Sequence, residues 1–104
     1  MEGTGKIVPI GKKSDIAAGT GKTVEVNGRP IAVFNVGGKF YATDNTCVHR
    51  GGPLGEGTLE GTEVVCPWHG WAYDVTSGQC TMNPAARVGC YMVKEDGENL
   101  LLSV

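Results

Sequence analysis

Long apolar runs are missing from this 104-residue chain. Its aliphatic stretches are about four residues long, far below the ~18–20 that a membrane helix needs. The first residues, Met1-Glu2-Gly3-Thr4-Gly5-Lys6, lack the apolar core of a signal peptide. The expected compartment is therefore the cytoplasm, whose reducing conditions disfavour structural disulfides. A basic excess is missing too: nine Lys and Arg stand against eleven Asp and Glu, for a net charge of −2. That excludes the usual nucleic-acid footprint and a polybasic membrane patch. Helical periodicity is almost absent; only Ser14–Ala18 hints at it, and it would make a turn at most. No internal repeat is evident. Histidine is scarce, so any imidazole chemistry falls to His49 and His69.

Glycine is abundant, 17 residues, where about 7% is the average. Tight turns and close backbone approaches use such a surplus. The length suits one domain with a modest core. Strand signals fill it. Lys6–Ile10 is short and alternating, and Lys22–Val26 runs into Asn27-Gly28, a strong hairpin turn. Pro30–Val36 follows, then Gly37-Gly38 and Lys39–Thr43, which predicts a three-stranded meander. Residues 44–83 are rich in glycine and turns. Within them Glu63–Cys66, Trp71–Val75 and Gln79–Met82 read as short strands, the last two joined through Ser77-Gly78. Val88–Lys94 and Asn99–Val104 pair around Asp96-Gly97. Short strands between regular turns predict an all-β domain.

The chemistry lies in two loops. Cys47-Val48-His49 is a C-x-H, and after sixteen intervening residues Cys66-Pro67-Trp68-His69 is a C-x-x-H. Two thiolates and two imidazoles can hold a [2Fe–2S] cluster in which His replaces Cys on one iron. They can also hold zinc. Zinc spacing usually pairs Cys with Cys and His with His, whereas each loop here carries one of each.

The flanks are Arg50-Gly51-Gly52-Pro53-Leu54 after the first pair and Gly70-Trp71-Ala72-Tyr73-Asp74 after the second. With them the chain resembles, over its whole length, the Rieske iron–sulfur family and specifically its small soluble ferredoxins. The resemblance implies an antiparallel β-sandwich or barrel of six to ten strands, with a small cluster-binding subdomain inserted at one tip. The single Rieske domain, 1–104, would have a base fold of about 1–43 and 84–104 and a cluster subdomain of about 44–83. Cys47 and Cys66 would hold the inner iron, and His49 and His69 the outer one. Gly51, Gly52 and Gly70 would let backbone N–H groups approach the sulfurs, and Pro53 and Pro67 would stiffen the loops. Trp68 would lie over the cluster and limit water. Trp71 and Tyr73 would be neighbours of the cluster or core residues.

Two departures from the family pattern bear on the potential. Quinol-oxidising members carry a disulfide whose positions here are Gly52 and Trp68, and a sulfide-bonding Ser where this chain has Trp71. A lost hydrogen bond lowers the potential, so the low end of the family range is expected, near about −150 mV. A flavin reductase drawing on NAD(P)H would suit such a site as donor, and a terminal oxygenase as acceptor. With both histidines committed to the cluster, no 2-His-1-carboxylate iron site can be assembled. The expected role is that of a monomeric one-electron carrier, not an enzyme. Two alternatives are the small subunit of an NAD(P)H nitrite reductase and a redox-sensing interaction module.

Other residues have plainer readings. Cys80 and Cys90 are expected to be buried or half-buried thiols. Gly21-Lys22-Thr23 resembles the end of a phosphate-binding loop, but Ile16 stands where that motif needs Gly. Asp44 and Asn45 are expected to form a turn that positions Cys47. Arg50, Glu56 and Glu60 read as a solvated face, with docking as the alternative.

Overall fold

A computed structural model describes residues 7–47, 52–68, 70–83 and 85–103. Among the described residues are nine strands: β1 (Ile7–Lys12), β2 (Thr20–Val26), β3 (Arg29–Val36), β4 (Lys39–Asp44), β5 (Thr58–Glu60), β6 (Glu63–Val65), β7 (Ala72–Asp74), β8 (Cys90–Asp96) and β9 (Asn99–Ser103). Six form one antiparallel sheet in the order β1-β9-β8-β4-β3-β2, and β5-β6-β7 form a second. The all-β antiparallel fold is the one expected.

The meander β2-β3-β4 pairs in continuous register, from Thr20 opposite Asn35 to Val26 opposite Arg29, and from Ile31 opposite Asp44 to Val36 opposite Lys39. Its first turn has φ of 54° at Asn27 and 79° at Gly28. Two positive φ values in a two-residue loop match the right-handed twist of the flanking strands.

β3 carries the architecture. Ile31 to Asn35 are all buried, and successive side chains point to opposite faces. Ile31 and Val33 join a core with Ile16, Val26, Ala42, Tyr91, Leu100 and Leu102. Ala32 and Phe34 join a second core with Cys47, Leu54, Val64, Cys66, Tyr73 and Val75. One strand thus forms a wall shared by the large sheet's own interior and the cysteine loops. Those loops and the small sheet fall between β4 and β8, which are neighbours in the large sheet.

Two local expectations need correction. Gln79–Met82 is not a strand; Gln79 bridges Arg87 and Cys80 bridges Tyr73, each in isolation. The backbone there serves the turn instead, with the Gly78 N–H donating to Asp74 O at 2.7 Å. The strand Thr58–Glu60 was not anticipated, because three residues between Gly57 and Gly61 are too few to show a period. Near Ser14 the chain makes only a 3-10 turn over Lys13–Asp15, where the Asp15 carboxylate accepts the Lys12 N–H at 2.9 Å. Gly21-Lys22-Thr23 lies within β2, away from any helix start. Among the described residues, no helix is long and apolar enough to cross a membrane.

Candidate metal centre

The first cysteine sits at one foot of a narrow arch leaving β4. Asn45 O accepts the Leu54 N–H at 2.6 Å, Thr46 bridges Pro53, and the Cys47 N–H donates to Gly52 O at 2.9 Å. The second cysteine directly follows β6, and its N–H donates to Trp71 O at 2.7 Å, just before β7. The feet of both loops are therefore fixed by backbone bonds. Both thiols are buried, each 1% exposed, and they are in hydrogen-bonding contact with each other. His49 and His69 lie outside the described residues, as do Val48, Arg50 and Gly51.

The surroundings of the thiols are specific. The Trp68 N–H donates to Cys66 Sγ at 3.4 Å. The Tyr73 hydroxyl, fully buried, lies 3.3 Å from Cys47 Sγ. Gly52 is a true close approach, since a Cβ there would stand 2.6 Å from Cys66 Sγ and 3.0 Å from Trp68 Cγ. Gly70 is different: it has φ of 73°, so backbone conformation and not crowding calls for glycine. Trp68 is half exposed and flanks Gly52 from outside, while Trp71 is partly buried against the cysteine core. Tyr73, which the sequence left divided between core and cluster neighbour, is a core residue whose hydroxyl reaches the Cys47 sulfur.

Burial pushes the Cys66 thiol up; the Trp68 N–H pulls it part of the way back, and the adjacent Cys47 raises it again. Two buried thiols that oppose each other's ionisation are a poor place for bare thiolates. A cationic core between them removes that penalty, and metal ligation requires the thiolate form. The donor pair thus fits the thiolate half of an iron–sulfur ligand set. Cys80 is buried in the same core and Cys90 is half-buried at the start of β8; none of the four cysteines is in a disulfide.

Asp44 and Asn45 do more than turn the chain. Asp44 accepts the Gly89 N–H at 2.9 Å and the Tyr91 hydroxyl at 2.5 Å, with the Arg29 guanidinium 3.8 Å away. Asn45 accepts the Gly55 N–H at 2.8 Å and the Thr23 hydroxyl at 3.0 Å. Partners this far away in sequence leave no local signal.

Comparison with known proteins agrees with the geometry. A family model described as Rieske [2Fe-2S] domain matches residues 6–93. The ferredoxin component of the naphthalene 1,2-dioxygenase/salicylate 5-hydroxylase systems of Ralstonia sp is 37% identical over 91 residues, 86% of this chain and 88% of that one. Ferredoxin CarAc of Metapseudomonas resinovorans is 44% identical over 72 residues, 68% of this chain and 67% of that one. A ferredoxin-sized chain in a solved complex of reduced oxygenase and oxidized ferredoxin in carbazole 1,9a-dioxygenase superposes with a TM-score of 0.86, at 34% identity, covering 93% of this chain and 92% of that one. This chain belongs to the Rieske [2Fe–2S] family, carries a cluster of that type, and is an electron-transfer ferredoxin component, not an enzyme.

Proposed function

We propose that this protein takes one electron at a time from an NAD(P)H-dependent flavin reductase and passes it to the terminal oxygenase of a ring-hydroxylating system. It would do so as a cytoplasmic monomer, one domain with a base fold of about 1–43 and 84–104 and a cluster subdomain of about 44–83. Cys47, His49, Cys66 and His69 would hold the cluster, which when bound supplies a one-electron redox centre. The observation that carries this reading is the pair of buried, mutually touching thiols at the feet of two separate loops.

The chain's own groups have definable tasks. Cys47 and Cys66 offer thiolates in a core that excludes water. The Trp68 N–H donates to Cys66, and with Cys47 as a thiolate the Tyr73 hydroxyl would donate to it, which favours an added negative charge. Gly52 keeps the first loop within reach of Cys66. The names of the relatives, ferredoxin components of dioxygenase systems, support an oxygenase as acceptor.

An EPR-monitored redox titration of the purified protein tests the reading. The expected result is a rhombic signal with average g below the free-electron value, appearing near about −150 mV. A clearly positive midpoint would remove the flavin-reductase assignment, and iron-free protein containing zinc would remove the cluster. Reduction by NADH with a dioxygenase-system flavin reductase should be fast and should support oxygenase turnover. Obligate co-purification with a sirohaem protein would instead indicate the nitrite reductase subunit. A redox-dependent change of partner without turnover would indicate a sensor.

A further inference from the structure

The arch that carries Cys47 is tied to a strand to which it does not belong. Asn45 lies two residues before Cys47 and is 7% exposed. Its Oδ1 accepts two hydrogen bonds, from the Gly55 N–H and from the Thr23 hydroxyl on β2. A backbone N–H can only donate, so the amide is oriented with its oxygen toward both partners. The hydroxyl of Thr23 must then be the donor. The Asn45 backbone closes the same arch through the Leu54 N–H. One side chain therefore joins the two feet of the arch, and one hydroxyl joins the arch to the large sheet. Gly55 leaves room for this junction: a Cβ there would collide with Thr23 Oγ1 and stand 2.8 Å from Thr23 N and 2.9 Å from Asn45 Oδ1. On the other side, Asp44 holds the start of the arch to β8 through Gly89 and Tyr91.

We propose that Asn45 and Thr23 are positioning residues for the Cys47 loop. Through the Gly55–Asn45–Thr23 bonds they hold the Cys47 sulfur against Cys66 and Tyr73, so a hydroxyl of the large sheet governs how firmly the cluster is retained and at what potential it works. This rests on the reading of Cys47 as a ligand. Sites of this kind need their ligands held to within about 0.5 Å, which loop backbone alone supplies poorly.

The test compares holoprotein variants by the rate of cluster loss to an iron chelator, by midpoint potential and by EPR g values. Thr23→Val removes the hydroxyl at nearly constant volume and should speed cluster loss about fivefold, the worth of one hydrogen bond. Thr23→Ser should restore it. Asn45→Ala, which also strips the Gly55 N–H of its partner, should exceed tenfold and shift both potential and g values. Asn45→Asp keeps both acceptor bonds and should recover retention while lowering the potential through its charge. Thr20→Val, on the same strand but bonded to Ala17 O, is the control and should change nothing. Wild-type retention in Thr23→Val would overturn the proposal, as would equal loss in Thr20→Val; should Asn45→Ala not fold, the Thr23 pair decides. An unchanged cluster in Cys47→Ser would overturn the ligand reading itself, a result separate from either.

Discussion

With Cys47 bound as a thiolate, its sulfur can no longer donate, so the hydrogen bond at 3.3 Å must run from the Tyr73 hydroxyl to Sγ. On that reading, the Tyr73 hydroxyl would be one of the groups that set the potential. Tyr73→Phe should hold its cluster and lower the midpoint by about 40 mV, the equivalent of ~1 kcal/mol for one electron; a redox titration of the variant reads this directly. Cys66→Ser should lose the cluster, whereas Cys80→Ser and Cys90→Ser should keep colour and potential, which iron analysis and absorbance would check. The candidate ligand cysteines were legible as residues because C-x-H and C-x-x-H are local patterns. Tyr73 as a core residue or neighbour of the site and Asn45 as part of a turn before Cys47 were expected, but the partners through which they act were not, because folding brings those near.

At the level of elements, β3 is the strand on which both cores depend, and its two faces should behave differently. Ile31→Val trims the large-sheet core and should cost about 1 kcal/mol in chemical unfolding with the cluster spectrum unchanged. Phe34→Ala opens the other face, beside the cysteine loops, and should cost about 3–5 kcal/mol together with a lower iron content. Equal iron loss in both variants would mean that the faces are not separable. The hairpins were readable from Asn27-Gly28, Gly37-Gly38 and Asp96-Gly97, because a positive φ restricts the residue type at the turn itself. The three-residue strand β5 was not, since its pairing with β6 is decided by the partner strand.

For the whole molecule, the cluster is part of the fold. If Cys47 and Cys66 hold it, its removal leaves two buried thiols in contact, so calorimetry of the stripped protein should show a midpoint lower by roughly 10 °C or more. The stripped protein should also be alkali-sensitive. Its folded state holds Cys66 above the ordinary thiol value of 9.0, so that contribution is complete below this pH. Above it the unfolded chain ionises first, and stability falls as pH rises through the folded value. A pH series of melts on stripped and loaded protein should show the fall in the stripped form alone. Segment 44–83 holds five of the eleven acidic residues and one basic residue, Arg50. Electron delivery to a partner with a basic face should therefore slow as salt rises, measurable by stopped flow.

Composition, the main strands, the turn residues and the pattern of the two cysteine–histidine loops were legible in the sequence alone, because each rests on neighbours a few positions apart. The tertiary structure alone decided that β3 is buried on both faces, that Tyr73 reaches the Cys47 sulfur, and that Thr23 on β2 reaches Asn45 in the first loop. Those contacts join residues that no short-range pattern links: the curl of the sheet brings them together, and burial makes their hydrogen bonds strong.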